Sequence, residues 1–521
     1  MKKKQVVILV LLILLPNIDL LSQRIITVDF AKVKGPMCRN YETCIGAGRA
    51  NEGLRADWQE QLLKLKSDVD FKYIRFHGLL HDDMGLYQED KSGVISYNYQ
   101  YVDALFDFLL KIKIRPFVEL SFMPEKLSSD NKTFMWWKAN ITPPNNYDKW
   151  RNMIFNLVRH LEERYGKEEI EKWYFEVWNE PNLHSFWTGT QNDYYKLYEA
   201  TAKTIKQVNS KYNVGGPATA GGGWIVEFLD YCYDKHIPID FVSTHMYPLE
   251  GFVDATGHSK TKINPNPDKL KHDVDNVTDM VKNSHFSNLP VFFTEWSSSW
   301  SFKDGIHDSY QNAPYILNVI KTNQEKVKAL SYWTFTDIFE EGGALSPSFH
   351  GGFGLMNIQG IPKPSYFAYK YLNQLGNSEL FNDDQFSWVC KDGNNIQSLI
   401  FDLTMPQMKN NESDQDYFSQ KHPSQFKENV QLTINNVPVG YYYMEIYKTG
   451  YNENDAFSKW CDLNKPLSLN IQTTRALKAL SSDTSIEKTI IHNQDGILKC
   501  NFRMNDNDIY MIKYIHLDKR Q

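Results

Sequence analysis

Cysteine is scarce in this chain, with six in 521 residues (Cys38, Cys44, Cys232, Cys390, Cys461 and Cys500) and none in Cys-x-x-Cys spacing. That scatter argues against a structural zinc site, and no metal is expected. Free buried thiols are the expected state, although Cys38 with Cys44 or Cys461 with Cys500 could pair in an exported chain. Positive charge is not in excess either: 57 Lys and Arg against 63 Asp and Glu leave a net charge of −6. The chain therefore offers no electrostatic footprint for nucleic acid and no basic face for an anionic membrane. No glycine-rich run precedes a helix with a Lys-Ser or Lys-Thr pair, which excludes a phosphate-binding loop of that type, and no cofactor is expected. The N-terminal apolar run, Val6 to Leu15, is shorter than the ~20 residues that a spanning helix needs, so stable membrane insertion is not expected. It follows Lys2-Lys3-Lys4 and precedes Ser22-Gln23, the layout of a secretory signal peptide over residues 1–23. Export to a periplasm or the exterior is the consequence; a retained anchor is the alternative. Neither an internal repeat nor a low-complexity tract is present.

What the chain does have is aromatic residues and two well-placed acids. Thirteen Trp, 30 Tyr and 30 Phe suit stacking on the C–H faces of sugars, though aromatics equally fill cores. Glu180 closes the stretch Trp173-Tyr-Phe-Glu-Val-Trp-Asn-Glu180, and Glu295 closes Val291-Phe-Phe-Thr-Glu295. Both stretches are apolar, rich in aromatic and β-branched residues, and too short for helices, so both acids fall at C-terminal strand tips. Two carboxyls so placed suit glycosidic cleavage, which must protonate a poor leaving group and stabilise an oxocarbenium-like centre. Asn179, beside Glu180, fits a hydrogen bond to the sugar 2-hydroxyl.

Helical stretches (Leu54 to Leu65, Tyr99 to Ile112, Trp150 to Tyr165) separate extended ones (Tyr73 to His77, Arg115 to Leu120, Trp173 to Trp178), and the alternation continues to Ala329–Phe335. Counting from Cys44–Arg49, about eight strands with helical crossovers predict a (β/α)8 TIM barrel over residues 36–372. From Asn377 onward, strand-like runs broken by polar turns predict a C-terminal antiparallel β-sandwich over residues 373–521, with Met408 to Glu428 as a long polar loop. The lone strand Ile25–Phe30, within residues 24–35, is expected to join that sandwich. Several barrel strand ends carry further groups suited to a sugar pocket: His77, Phe122, His245 with Tyr247, and the acidic, aromatic run Trp333 to Glu341. A lone His at a strand end is more often structural than a ligand; here all point to the face that carries Glu180 and Glu295.

In order along the barrel, Cys44-Ile-Gly-Ala-Gly-Arg49, Phe71 to Leu80, Arg115 to Pro124, Phe175-Glu-Val-Trp-Asn-Glu-Pro-Asn-Leu183, Val214-Gly-Gly-Pro217, Asp240 to His245, Ser331 to Glu341 and Phe349-His-Gly-Gly-Phe-Gly-Leu355 resemble glycoside hydrolase family 39, most closely its bacterial β-xylosidases. The resemblance implies a retaining double displacement with Glu180 as acid/base and Glu295 as nucleophile. It also implies that His77, Phe122, Asn179, His245, Tyr247, Trp333, Glu340 and Glu341 line the sugar subsite, and that the partner is an oligosaccharide cleaved from its non-reducing end. Trp296 stands where Tyr is expected, and the loop with Met246 and Pro248 is unusual; both bear on outer subsites, not on the mechanism. The alternatives are a β-glucosidase, an arabinosidase, an α-L-iduronidase, or a non-catalytic glycan-binding barrel. The iduronidase reading wants Lys or Arg at the subsite, where Glu340 and Glu341 would instead repel a uronate. The sequence is compatible with a homo-oligomer.

Overall fold

The computed structural model describes residues 23–254, 256–344, 347–406 and 413–517. The expected export signal lies outside the described residues, apart from Gln23. Eight strands close a parallel barrel in chain order: β1 (Cys44–Arg49), β2 (Tyr73–His77), β3 (Arg115–Leu120), β4 (Tyr174–Val177), β5 (Asn213–Ala220), β6 (Phe241–Met246), β7 (Val291–Trp296) and β8 (Ala329–Tyr332). A helix follows each strand, from Ala56–Asp68 after β1 to Pro364–Asn373 after β8. The helices form because their apolar residues recur at helical spacing: Leu105, Phe106 and Leu109 of Gln100–Lys111, and Trp150, Ile154, Leu157 and Leu161 of Tyr147–Tyr165, are buried against the barrel. Their starts are set by local chemistry. Asn146 accepts from the backbone N–H groups of Asp148 and Lys149, and Thr190 with Asp193 forms a reciprocal cap.

The C-terminal region is a two-sheet sandwich. Seven strands, with Val33–Pro36 at one edge and Glu487–Asn493 at the other, form an antiparallel sheet that is apolar on both faces. Alternate residues divide between two cores: Trp388, Leu399, Phe401 and Met511 pack on the barrel, whereas Val389, Ile400, Ile512 and Tyr514 face the second sheet. That second sheet has three strands, Gln23–Asp29, Phe426–Asn435 and Leu498–Asn505. Gln23–Asp29 pairs with Phe426–Asn435 in parallel, unlike its neighbours. A parallel pair needs a long crossover; here the whole barrel lies between the two strands in sequence.

Two features depart from the sequence reading. Helices Ala456–Asp462 and Ile471–Leu480 stand within the region expected to be all strand, and their Phe457, Trp460 and Leu477 pack on Phe349 and Ile361 of the barrel. The segment expected as a polar loop contains the short helix Asp414–Phe418, whose Phe418 packs on Ile263 and Ile306. All six cysteines are free. Among the described residues no helix is long and apolar enough to cross a membrane.

Because Ile26 is only 1% exposed and sits between the two sheets, Ile26→Ala should cost about 2–5 kcal/mol. A urea titration followed by fluorescence would read this as a lower midpoint. A loss under about 1 kcal/mol would mean that the N-terminal strand contributes little to that core.

Candidate active site

The barrel interior is built in layers by the two-residue alternation of its strands. At the bottom Phe117, Phe241 and Phe292 pack with Tyr73 and Tyr174, and the Phe117 and Tyr174 rings stack 5.3 Å apart. Two residues further along β2, β3 and β4 come Arg75, Glu119 and Glu176, all fully buried. One more step brings His77 and Ser121 towards the mouth. The aromatic floor keeps water out, so the charges above it must satisfy one another.

Arg75 does most of this. Its Nε donates to Glu176 at 2.6 Å, Nη1 to Glu295 at 2.7 Å and Nη2 to Asn179 Oδ1 at 2.9 Å, and Nη2 is also 2.8 Å from Glu119. Glu119 is shared with His77 Nδ1 at 2.7 Å. Burial opposes a charge on His77, but Glu119 and Glu295 outweigh it and push its pKa up to about 9.

Glu295 lies inside this layer through a bulge. His245 pairs with Glu295 and Thr244 with Phe293, leaving Thr294 as the extra residue on β7. Both Thr294 and Glu295 can then reach inward: Thr294 Oγ1 donates to Glu176 at 2.8 Å, while Glu295 also accepts from the Tyr247 hydroxyl at 2.8 Å. Glu180 arrives differently. The chain beyond β4 turns sharply through left-handed Trp178 (φ 71) and Glu180 (φ 43), and the Glu180 N–H donates to Ala218 O on β5 at 2.8 Å. Such conformations cost about 1–3 kcal/mol each and persist where surroundings hold them.

One oxygen of Glu180, one of Glu295 and a ring nitrogen of His245 lie within 4.8 Å of one another. His245 Nδ1 is hydrogen-bonded to Glu180 at 2.9 Å and lies 3.6 Å from Glu295. Burial, then the charges of Arg75 and His77, hold the His245 pKa well below the usual imidazole range. Glu180 is shifted the other way: burial first, then the Glu295 charge, hold its pKa well above the carboxylate range despite His77 and Arg75. The arrangement thus offers a proton-holding acid, Glu180, beside a second carboxyl that Arg75 and Tyr247 hold in place, the division of labour that acid catalysis and nucleophilic attack require. The same three groups are the one cluster of metal-ligand type among the described residues. His245 Nδ1 is engaged by Glu180, and Glu295 is held by Arg75 and Tyr247.

His77, Asn179, Glu180, Tyr247, Glu295, Trp333 and Glu341 line a cavity of about 410 Å³. Trp333 can enter the mouth because Gly46 lies beneath it; a Cβ there would stand 2.4 Å from the indole. Glu341 lies 3.5 Å from His77 Nε2, and burial, partly offset by His77, raises its pKa to about 7. His245 sits behind the two carboxyls instead of lining the cavity. Two residues expected at the subsite are elsewhere. Phe122 is buried behind His77, packed on Trp137, Trp178 and Phe186. Glu340 turns outward, where Arg49 takes one carboxylate oxygen at 2.7 Å and Arg55 the other at 2.9 Å. The sequence reading passed over Arg75, Glu119 and Glu176. Their signal was a charge inside a largely apolar strand, one or two residues before its end. Phe134, Phe186, Trp300, Phe302 and Phe353 complete the cavity wall from loops, and nothing in loop composition marks them out.

The model of glycosyl hydrolases family 39 matches residues 24–498. The chain belongs to this family. It is 34% identical over 491 residues to a β-xylosidase of Geobacillus stearothermophilus, covering 91% of this chain and 92% of that one. It is 42% identical over 381 residues to a β-xylosidase of Caldicellulosiruptor saccharolyticus, covering 72% and 77%. The crystal structure of a monomeric β-xylosidase from Caulobacter crescentus CB15 superposes with a TM-score of 0.91 at 37% identity, covering 95% of this chain and all of that one. As a family 39 member the protein is a glycosidase.

The like charge of Glu295 is one cause of the raised Glu180 pKa, so Glu295→Gln should lower it. Carboxyl titration by 13C NMR would follow the shift. An unchanged or higher Glu180 pKa in that variant would remove Glu295 as a cause.

Proposed function

We propose that this family 39 glycosidase is a retaining, exo-acting β-xylosidase that releases xylose from the non-reducing ends of xylo-oligosaccharides. The observation that carries the mechanism is the pair of carboxyls with oxygens within 4.8 Å of each other. That fits the ~5–5.5 Å carboxyl spacing of retaining enzymes better than the ~6.5–9.5 Å of inverting ones. In the first step Glu295 attacks the anomeric carbon, the glycosidic C–O bond breaks, and the Glu180 proton passes to the departing oxygen. In the second, water attacks the same carbon, gives its proton to Glu180, and the ester bond to Glu295 breaks. Arg75 and Tyr247 hold Glu295 by hydrogen bonds and aim it. Asn179, His77 and Glu341 face the sugar hydroxyls.

The pentose specificity is supported by the β-xylosidases among the relatives. A uronate is disfavoured, because Glu295 and Glu341 face the cavity and would repel its carboxylate, while Arg75 below them is already engaged by Glu176, Glu295 and Asn179. Export through the N-terminal segment is part of the same proposal, since oligosaccharides of this kind are met outside the cell.

Glu180→Gln should cripple xylosides with poor leaving groups by orders of magnitude more than activated aryl xylosides, with azide restoring turnover. A 2-deoxy-2-fluoro xylosyl inactivator should label Glu295. Initial release of the inverted anomer, seen by proton NMR, would overturn the mechanism. A higher kcat/KM for 4-nitrophenyl β-glucoside than for the β-xyloside would overturn the sugar assignment alone.

A further inference from the structure

Two aromatic side chains line the cavity while staying open to solvent: Phe134 is 40% exposed and Trp300 57%. Residues that do both stand at the mouth. Phe134 is carried there by a short hairpin after β3, in which Thr133–Phe134 pairs with Ala139–Asn140 and left-handed Met135 and Lys138 tighten the turn. Its ring meets Phe186 edge-on at 5.2 Å. Phe186 belongs to the turn that leaves Glu180, where the Leu183 N–H donates to Glu180 O and the Phe186 N–H to Leu183 O. Phe134 is therefore on the same wall as the proton donor. Trp300 comes from the loop after β7, five residues beyond Glu295. Among the described residues no hydrogen bond or ring contact engages its indole.

One exposed aromatic is ordinary. Two at the mouth of one cavity, one of them beside the proton donor, present flat apolar faces where the departing group must pass. The deeper positions are occupied by His77, Trp333 and Glu341, with groups suited to hydroxyls and to the reacting centre. We propose that Phe134 and Trp300 form the leaving-group subsite and hold the neighbouring pyranose of a xylo-oligosaccharide by its C–H faces. This rests on the reading of the enzyme as an exo-acting β-xylosidase and adds what recognises the half of the substrate that is not retained. By microscopic reversibility, the same faces receive an acceptor sugar when the glycosyl-enzyme transfers its xylose to another sugar in place of water.

The test compares β-xylobiose with β-xylosyl fluoride, whose leaving group is too small to reach the subsite. In Phe134→Ala and Trp300→Ala the ratio of kcat/KM for xylobiose to that for the fluoride should fall about tenfold, the loss expected for one aromatic contact. Reactivation of the 2-fluoroxylosyl-enzyme by added xylobiose should slow in the same variants, while reactivation by water keeps its rate. An unchanged ratio, whether both substrates lose activity together or neither does, would overturn the subsite. A wild-type enzyme inactive on both xylosyl substrates would overturn the pentose reading and this occupant with it, a result distinct from an unchanged ratio.

Discussion

The site depends on one buried cation. Arg75 is fully enclosed by the barrel, above an aromatic floor that admits no water, and an unpaired charge there would cost several kcal/mol. The cost is met only because Glu119, Glu176 and Glu295 converge on it from three other strands. That requirement fixes geometry as well as energy. The guanidinium is planar and its donors diverge at set angles, so the partners they reach are held in a set relation to one another: Glu295, Asn179, and, through shared Glu119, the ring of His77. A barrel that lost this cation would keep its strands and lose the mutual placement of the groups at their tips. The bulge at Thr294 and the left-handed turn at Glu180 serve the same end, since each departs from regular backbone to bring a carboxyl into reach.

Much of this was legible in the sequence because it lies on strands. The alternation of strand and helix led to a closed eight-stranded barrel, and Glu180, Glu295, His77, Asn179, Tyr247, Trp333 and Glu341 meet at its mouth. Strand tips are readable since a short apolar run ends at a recognisable residue and the fold decides which way the tip points. Loops do not share that property. Glu340 and Glu341 are adjacent and chemically identical, yet one faces the cavity and the other is taken by Arg49 and Arg55, a division that only the folded loop decides. Phe122 lies just beyond a strand tip and His77 at one, but the packing of Trp137 and Trp178 draws Phe122 behind the site. Arg75, Glu119 and Glu176 were readable in principle. Their strands were recognised, and an interior charge in a fully buried strand demands a partner. In the C-terminal region the helices Ala456–Asp462 and Ile471–Leu480 were hidden because their apolar residues are few and serve a contact with the barrel, which no local pattern encodes.

That contact bears on how the two halves of the molecule relate. The loop carrying Phe353 into the cavity is fixed from below by Lys363, whose Nζ lies 2.6 Å from Asp308 and 2.7 Å from Asp337 and donates to Gly352 O at 2.8 Å. From the side it is fixed by Phe349, seated against Phe457 and Trp460 of the C-terminal region. Phe418 from the same region packs on Ile306, beyond the loop that carries Trp300 and Phe302. The sandwich is thus part of the masonry of the cavity, and the barrel is not a portable cassette. A cut at the apparent joint between barrel and sandwich would remove supports from two walls of the pocket.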